Sequence, residues 1–456
     1  MDDTEALLEQ IEHACRRMKM AQSTFGRLAV NDGKLVARLQ QGGRVTVQTV
    51  ERVHRFIEEQ GGTSAEALRS GIKGLRAGLR PEHAFRFYDN RQKYLMFVNT
   101  TTEKQIIADR AVQELCETQP SPPAIRLLDG GAGDGTALAR MLRGLHRRHP
   151  WVPFYVVAKE ISMENIRLTL EKMPDRLREH SATVLVLTNL KYAETPLLQP
   201  DSAAAASRMV WHEVALDGTS AGEFEEQIAA LEPFLQKNWQ TTIGSSGNPL
   251  YRTPTVLILY RKDHGFMLDP IVPRRGYAKA DFDFVLASQP YRASAPLEFK
   301  TSRVITPLVR ALRPNGKLMG VHSHGRDPGM EIINGIWPDE APFRDDGEAI
   351  LRQVAEELGP AARDYHFHDM APESTLFRYD VRTLPTEISE GMPIGSSTLF
   401  AAWNAASYVA QITDERLAGA LSNDHYLEAT RDVLQRRGGL WFNDEVYMIS
   451  RRARLH

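Results

Sequence analysis

The sequence predicts an α/β protein: a doubly wound, mostly parallel, seven-stranded sheet that carries an insertion and follows a small all-α domain. Three observations support this fold class. Short apolar runs alternate with segments of helical spacing from residue 124 onwards, as in parallel sheets with crossover helices. A glycine-rich turn separates the first of these runs from the next helix. Residues 5–60, in contrast, are built from four helical segments, at residues 5–20, 23–30, 34–40 and 46–60.

The first strand and its turn are the most informative segment. Residues 127–136 read Leu-Leu-Asp-Gly-Gly-Ala-Gly-Asp-Gly-Thr. Glycine allows a sharp turn and a close approach to a ligand, because it has no Cβ. The helix after the turn directs its free N–H groups to the same place. The spacing differs from the glycine patterns of nucleoside triphosphate and dinucleotide sites. Asp129 and Asp134 would repel a pyrophosphate, so the loop favours a cationic ligand. An ordinary strand-to-helix turn is the alternative.

This segment resembles the first motif of class I S-adenosylmethionine-dependent methyltransferases. In that family the loop faces the methionine part of the cofactor, whose ammonium and sulfonium groups are positive. The resemblance therefore implies S-adenosylmethionine as the cofactor and makes the protein an enzyme, a methyltransferase.

The next two strand-like runs also end in polar residues. Residues 153–158 are apolar, and an acid that closes the second strand of such a sheet, here Glu160, reaches the hydroxyls of a bound ribose. An acid at the start of the following helix is the alternative role. Residues 182–188 end at Asn189, and in the family this strand end lies by the adenine ring. The expected cofactor-binding residues are Asp129, Gly131, Gly133, Asp134, Gly135, Glu160 and Asn189.

The fourth strand, residues 282–287, leads into Ser288-Gln289-Pro290-Tyr291. This segment resembles the Asn/Asp/Ser-Pro-Pro-Tyr motif of amino-group methyltransferases, although Gln289 replaces its first proline. The serine hydroxyl and adjacent carbonyls can accept hydrogen bonds from an amine, and the tyrosine ring can lie against its developing charge. A plain turn is the alternative.

A fifth strand is predicted at residues 317–321 and a final one at 440–449. The preceding Leu-Arg-Pro-Asn-Gly-Lys-Leu is typical of class I methyltransferases, and the resemblance covers roughly residues 124–192 and 280–450. His322 and His324 follow the fifth strand, where chemistry gathers in this fold. We expect one of them to bind the substrate or to act as an acid or base, with structural hydrogen bonding as the alternative. We expect no metal site, because zinc sites add cysteine or carboxylate ligands at recognisable spacing. The expected catalytic residues are Ser288, Tyr291 and His322.

About 90 residues, 190–279, separate the third and fourth strands, which is longer than ordinary connections. We expect this insertion to fold over the cleft as a substrate lid, with a subunit interface as the alternative.

A helical module occupies residues 1–62. Residues 21–44 resemble the helix-turn-helix of small phage-repressor-like domains, which implies DNA contact through the second helix. The module is not basic as a whole, so a structural role, or a homodimer formed through it, is the alternative. Residues 63–123 are predicted to be a linker and a helical cap over the cofactor, with Tyr88, Arg91 and Tyr94 as pocket walls or core. The methyltransferase domain then spans residues 124–456.

The composition of the 456 residues fits this organisation. A formal net charge of −2 gives no overall attraction to nucleic acid or membranes, and two cysteines predict a reducing compartment, hence a cytoplasmic protein. The predicted function is methyl transfer to an amine or hydroxyl of a small molecule or other acceptor. The alternatives are a transcriptional regulator that senses a ligand and a DNA methyltransferase.

Overall fold

The computed structural model describes residues 3–18, 20–30, 32–40, 49, 53, 56, 91–119, 121–244, 248–382, 388, 394–421 and 424–453. The chain divides into two compact units, residues 1–83 and 84–456, and each is described by itself.

The described stretch of the first unit up to residue 40 contains the helices α1 (Asp3–Met18), α2 (Gln22–Val30) and α3 (Leu35–Gln40). They lie where the sequence predicts helices, within two residues at each end. Gly26 of α2 packs so closely on the α2–α3 turn that a Cβ there would lie 2.3 Å from the Asp32 carbonyl oxygen. The predicted fourth helix, residues 46–60, falls almost entirely outside the described residues, and a helix-turn-helix identity for this unit stays a prediction. The apolar core contains Leu7, Ile11, Phe25, Leu35, Val36, Leu39 and Val53.

The second unit is an α/β structure with two helices ahead of its first strand. These are α4 (Arg91–Thr100) and α5 (Glu103–Cys116). The central helices are α6 (Thr136–Arg148), α7 (Met163–Glu171), α8 (Met173–Glu179), α9 (Ala203–Arg208), α10 (Ala221–Ala229), α11 (Glu232–Asn238) and α12 (Gly265–Leu268). The later helices are α13 (Leu297–Lys300), α14 (Thr306–Arg310), α15 (Pro328–Asn334), α16 (Gly347–Leu358), α17 (Pro372–Thr375), α18 (Ser396–Val409), α19 (Asp414–Ala420) and α20 (His425–Arg437).

The described strands of this unit are β1 (Ile125–Asp129), β2 (Phe154–Lys159), β3 (Thr183–Thr188), β4 (Val210–Leu216), β5 (Thr241–Ile243), β6 (Pro249–Tyr251), β7 (Thr255–Arg261), β8 (Phe282–Ser288), β9 (Leu312–Ser323), β10 (Tyr365–Phe367), β11 (Leu376–Asp380) and β12 (Trp441–Arg451). Six of them, β1, β2, β3, β8, β9 and β12, fall at or near the predicted strands.

Among the described residues, the main sheet has ten strands rather than the predicted seven. Its order is β10-β12-β9-β8-β1-β2-β3-β7-β4, and β11 pairs with part of β12. Neighbours from β3 to β9 are parallel, whereas β12 runs antiparallel to β9. Two of the additional strands, β4 and β7, come from the 190–279 insertion, which prolongs the sheet beyond β3. Residues 255–260 have a strand-like pattern, but the pattern does not reveal which sheet the strand joins, and no strand was predicted at residues 210–216.

The chain order of the sheet places a switch point beside β1. From β1 the chain continues to β2 and β3 on one side, and it returns with β8 and β9 on the other. In doubly wound sheets, ligands bind outside the carboxyl ends of the strands at such a point. The glycine loop after β1 and the Ser288 segment after β8 therefore meet at the expected ligand position.

Apolar side chains cover both faces of the sheet. On one face, Leu286 and Val321 pack in the same core as Leu138 of α6 and Ile107 of α5. On the other face, Ala287 and Tyr447 pack with residues of α14 and α16. We call these the α6 face and the α16 face. Within the described part of the chain, no helix is both long and apolar enough to span a bilayer.

Candidate functional site

Asp129 ends β1 and is buried at the switch point. Its Oδ1 accepts a hydrogen bond from the Gly131 backbone N–H over 3.1 Å. Its Oδ2 is also buried, yet it has no hydrogen-bond partner among the described residues. Burial raises the pKa of this carboxyl to about 6, although the Gly131 N–H and the Lys104 ammonium act in the opposite direction. A polar ligand group, preferably a cation, would satisfy this oxygen.

Two glycines of the loop have backbone conformations that other residues rarely adopt. The φ angles of Gly133 and Gly135 are +56° and +78°. A Cβ at Gly133 would lie 2.6 Å from the Tyr94 hydroxyl oxygen, and one at Gly135 would lie 2.8 Å from Cα of Thr169. Glycine is thus required here by conformation and by space. Gly131 approaches β8, because its Cβ would lie 3.6 Å from the Ser288 carbonyl oxygen.

Asp134 has a different environment from Asp129. Its carboxylate accepts hydrogen bonds from the Thr136 hydroxyl and backbone N–H, and it lies 3.3 Å from the Lys172 ammonium. The Asp134 backbone N–H donates to the Tyr94 hydroxyl over 3.0 Å. These contacts fix the loop to the start of α6 and to α4. Tyr94 therefore lies against the loop, whereas Tyr88 falls outside the described residues.

Glu160 follows β2 and is buried. Its Oε1 accepts from the Ser162 backbone N–H over 2.7 Å, and its Oε2 accepts from the Asn165 side chain over 3.4 Å. These bonds hold an acid at the start of α7, as the alternative interpretation of this residue expects. Burial raises the pKa of Glu160. The backbone carbonyl of Glu160 also accepts from the indole N–H of Trp239, a buried residue of the insertion.

Asn189 lies at the end of β3, but the insertion engages both ends of its amide. Oδ1 accepts from the Thr255 backbone N–H over 2.8 Å, and Nδ2 donates to the Thr253 carbonyl oxygen over 2.9 Å. The side chain thus holds β7 against β3. The sequence could not reveal this role, because it does not show that β7 pairs with β3.

Ser288 ends β8 and places a second unsatisfied polar atom near the loop. The residue is buried, and its Oγ has no hydrogen-bond partner in the described structure. Alternation along β8 puts its side chain on the α6 face, with Leu286. Ser288 and Asp129 therefore present unpaired oxygens at the carboxyl ends of two neighbouring parallel strands.

Gln289, where the resemblance is weakest, has a specific structural role. Its φ of +48° is left-handed, which a proline cannot adopt. Its carboxamide N–H groups donate to Ser323 Oγ over 3.1 Å and to Asp444 Oδ1 over 3.2 Å. The carboxamide oxygen accepts from the Ser323 N–H over 3.3 Å. Glutamine thus ties the loop after β8 to β9 and β12.

Tyr291 and His322, two of the three expected catalytic residues, lie together on the α16 face of the sheet. The Tyr291 hydroxyl lies 3.3 Å from Nδ1 of His322 and 3.1 Å from the Tyr447 hydroxyl. Tyr291 packs in the core that lies on the α16 face. Burial, followed by the adjacent Tyr447, raises the pKa of Tyr291 well above its usual range. The sheet separates this pair from the unpaired oxygens of Asp129 and Ser288.

Glu445 completes the network on the α16 face. Its Oε2 lies 2.9 Å from Nε2 of His322 and accepts from the Gly347 N–H over 2.9 Å. Burial raises the pKa of this carboxyl, but the contacts with His322 and Gly347 outweigh it, so the net shift is downward. A small cavity borders the network and is lined by Gln289, Tyr291, Lys300, His322, Phe343 and Asp345.

Three buried or partly buried charged residues, Glu103, Lys104 and Asp444, escaped the sequence interpretation. Lys104 of α5 lies 3.2 Å from Glu103, and its charge acts on both Asp129 and Asp444. Asp444 is fully buried in β12, and its Oδ2 is unpartnered within the described ranges. The sequence signal for Asp444 was an acid inside the apolar run 440–449. The residues that surround Asp444 are brought there by strand pairing, which the sequence does not specify.

The insertion lies beside the site as well as at the sheet edge. The β5–β6 hairpin carries Asn248, whose side chain accepts from the Arg292 guanidinium in the loop after β8. Trp239 reaches Glu160 from the same insertion. A lid role stays a prediction, and its structural basis is this hairpin rather than the whole insertion.

Comparison with protein-family profiles gives no match, and comparison with curated proteins gives none. Among solved structures, the chain is similar to a protein of Galdieria sulphuraria classed as a sarcosine dimethylglycine methyltransferase: 10% identity, TM-score 0.31, with 77% of this chain and 85% of that chain covered. A geranyl diphosphate methyltransferase bound to geranyl diphosphate and sinefungin gives 12% identity, TM-score 0.29, and 76% and 78% coverage. A Listeria monocytogenes protein classed as a class I S-adenosylmethionine-dependent methyltransferase gives 9% identity and a TM-score of 0.28, with 99% of this chain and 88% of that chain covered. TM-scores this low do not assign the chain to a family.

Proposed function

We propose that this protein transfers a methyl group from S-adenosylmethionine to an amine or hydroxyl of a small molecule. The observation that carries the proposal is the buried, unpaired Oδ2 of Asp129 beside a glycine loop at the switch point. An unpaired buried oxygen is costly, so its retention favours a ligand that completes it.

The residues around the loop fit the methionine end of this cofactor. Asp129 would receive the ammonium group, and Gly131, Gly133 and Gly135 would allow close approach of the backbone. Asp134 would act indirectly, because Thr136 and Lys172 already occupy its carboxylate. Its part is to hold the loop in position.

The nucleoside end would extend along the carboxyl ends of β2 and β3. Glu160 would accept hydrogen bonds from the ribose hydroxyls. To do so, its Oε2 would share or give up the hydrogen bond from Asn165, which at 3.4 Å is longer than the 2.7 Å bond from Ser162 to Oε1. Asn189 is not carried into the proposal, since its amide bonds to the backbone of the insertion.

Ser288 is the residue proposed to touch the acceptor. Its unpartnered Oγ lies on the same sheet face as Asp129, at the end of the adjacent strand. It can accept a hydrogen bond from a polar group of the acceptor and so help to orient the acceptor beside the cofactor. Bound S-adenosylmethionine supplies an already activated methyl group, so the protein's contribution is positioning and charge stabilisation.

Tyr291 and His322 are proposed as positioning residues. They lie on the opposite sheet face, and their bonds to Tyr447 and Glu445 fix the segment that follows Ser288. This network would thus influence the acceptor indirectly, because it fixes the position of the loop after β8.

Calorimetric titration with S-adenosylmethionine and S-adenosylhomocysteine tests the proposal. We expect both to bind the wild-type protein and the Asp129→Ala variant to bind at least tenfold more weakly. Asp380→Asn, which changes an exposed carboxylate of β11, is the matched control and should bind like the wild type. The absence of binding, or equal affinity of the wild-type and Asp129→Ala proteins, would refute the cofactor assignment.

We also propose DNA contact through residues 21–44. The exposed side of α3 presents Arg38 and Gln40, and exposed Lys34 immediately precedes it, while Leu35, Val36 and Leu39 pack inward. Arg38 also pairs with Asp32 at 2.8 Å, which fixes its orientation. Gln41 and Arg44 fall outside the described residues.

A mobility shift on DNA from upstream of the protein's own gene tests this contact. Affinity should fall steeply with salt, and Lys34→Ala should reduce the slope of log K against log salt by roughly 1. Arg16→Ala, on the exposed side of α1, serves as the control and should leave the slope unchanged. Salt-independent or absent binding would exclude a DNA role.

A further inference from the structure

A second group of polar atoms lies on the α6 face, apart from the loop. Asp444 of β12 and Tyr379 of β11 are both fully buried, and Asp444 Oδ2 and the Tyr379 hydroxyl are unpartnered within the described chain. Tyr379 pairs in register with Phe442, two residues from Asp444, so the two side chains share a sheet face. They form a second place where a polar ligand group is needed.

This place is distinct from the position of Asp129. Three strand-to-strand steps separate β1 from β12, through β8 and β9. At about 4.8 Å per step this amounts to roughly 14 Å, too far for one small group to contact both carboxylates. Ser288, on β8, lies between them. A second molecule beside the cofactor would meet Ser288 first and Asp444 next.

The Asp444 carboxyl favours a cationic ligand, which would stabilise its ionised form. Glu103, Asp129 and Asp444 are buried carboxyls, and the Lys104 ammonium, which contacts Glu103, is the positive charge that acts on Asp129 and Asp444. A buried carboxylate without a cationic partner is strongly unfavourable. A hydroxyl ligand could bond to Asp444 but would not balance its charge. An ammonium would do both.

Aromatic rings border the same place. Tyr379 stacks on Phe442 with ring centroids 5.4 Å apart, and Phe97 packs against Tyr379 and Tyr408 at 6.1 and 4.9 Å. Ring faces attract cations, most strongly where water is excluded. The carboxyl and the rings therefore favour the same ligand class.

The Asp444 side chain is held in one orientation. Gln289 donates to its Oδ1 over 3.2 Å, which leaves Oδ2 for a ligand. Burial, the nearby Glu103 and the Asp327 charge raise the pKa of Asp444 well above its usual range, whereas Lys104 and Ser323 lower it. A carboxyl of this kind readily takes up a proton.

We propose that the methyl acceptor is a primary or secondary amine, bound as its ammonium by Asp444 and the Tyr379 ring, and that Asp444 takes its proton. This rests on the proposed function and narrows its acceptor to amines. An N–H bond breaks as the proton passes to Asp444 Oδ2. The freed lone pair then forms the N–C bond to the methyl group while the C–S bond breaks, which leaves neutral S-adenosylhomocysteine and a methylated ammonium.

Calorimetry on the full chain saturated with S-adenosylhomocysteine tests the inference with a matched pair of probes, phenethylamine and phenethyl alcohol. We expect the amine to bind at least tenfold more tightly than the alcohol. Titration in two buffers of different ionisation enthalpy should show release of close to one proton with the amine, because Asp444 must ionise to pair with the ammonium. Equal binding of both probes, or no proton release, would overturn the assignment.

The isosteric Asp444→Asn variant locates the effect. It should bind phenethylamine at least tenfold more weakly and release no proton, with S-adenosylhomocysteine affinity within twofold of wild type. Asp380→Asn, the exposed carboxylate on the neighbouring strand, should match wild type throughout. If Asp444→Asn does not fold, the wild-type comparison of the two probes still decides. Failure of S-adenosylhomocysteine to bind wild type would instead defeat the proposed function, and this inference with it.

Discussion

The carboxamide of Gln289 donates to the carboxylate of Asp444 over 3.2 Å and so links the loop after β8 to β12. The backbone N–H of Gln289 also donates to the Val321 carbonyl over 2.8 Å, at a φ of +48°. One residue thus fixes the end of β8 through its backbone and the Asp444 carboxyl through its side chain. The departure from a proline-containing motif follows from these contacts.

Gln289→Pro should therefore be strongly destabilising. Proline cannot reach a positive φ, and it removes the N–H that bonds to Val321, so we expect a loss of about 3 kcal/mol or more in the free energy of unfolding. Chemical denaturation measures it. Gln289→Gly is the control: it relieves the backbone but also loses the side-chain bonds, so it should cost about 1–3 kcal/mol and be less destabilising than Gln289→Pro by about 3 kcal/mol. Comparable losses in both variants would contradict the conformational argument.

Gly135→Ala should reduce both stability and cofactor affinity. The new Cβ would lie 2.8 Å from Cα of Thr169, at a φ of +78°. We expect a cost of about 1–3 kcal/mol and at least tenfold weaker S-adenosylhomocysteine binding, because the loop must shift. Thermal unfolding and calorimetry measure the two effects. Gly222→Ala in helix α10 meets no atom within 4 Å and should leave binding unchanged; matching losses there would refute the steric explanation.

Asp129→Asn should change the pH dependence of stability in the absence of ligand. Burial raises the folded-state pKa of Asp129 to about 6, above its unfolded value. The associated stability is thus fully present below about pH 4 and is lost as the pH rises through 6. The variant should exceed wild type by up to about 3 kcal/mol at pH 7.5 and lose that advantage by pH 4. Denaturation curves of both proteins at pH 7.5 and pH 4 measure this difference in the free energy of unfolding. A difference that does not change with pH would argue against ionisation of this carboxyl.

Glu445→Ala should lower stability without weakening cofactor binding. The substitution leaves buried His322 and the Gly347 N–H without their shared acceptor, which costs about 2–4 kcal/mol. Glu445 faces away from the α6 face, so S-adenosylhomocysteine affinity should stay within twofold. Urea denaturation and calorimetry measure the two quantities. A large loss of cofactor affinity would mean that the network on the α16 face contributes directly to the cofactor site.

Local sequence patterns were sufficient for part of the fold. The apolar runs gave β1, β2, β3 and β8 closely, because buried parallel strands are continuously apolar, and the run at residues 440–449 gave most of the antiparallel strand β12. The strand count was wrong, since β4 and β7 join the main sheet only through pairing with β3. Asn189 illustrates the same limit for side chains: its position at a strand end was predictable, but its hydrogen bonds to residues 253 and 255 were not.

By itself, the sequence determined that a glycine loop and an acid follow the first strand, because backbone freedom at Gly133 and Gly135 is a local property. It also determined that Ser288 ends a strand. The tertiary structure decided which of these atoms stay unsatisfied, and that Tyr291 and His322 lie on the other sheet face. It also decided that Asp444, more than 300 residues after Asp129 in the chain, faces the same side as Asp129. Whether a polar atom is buried and hydrogen-bonded depends on the neighbours that strand pairing brings to it, and strand pairing is not a local property.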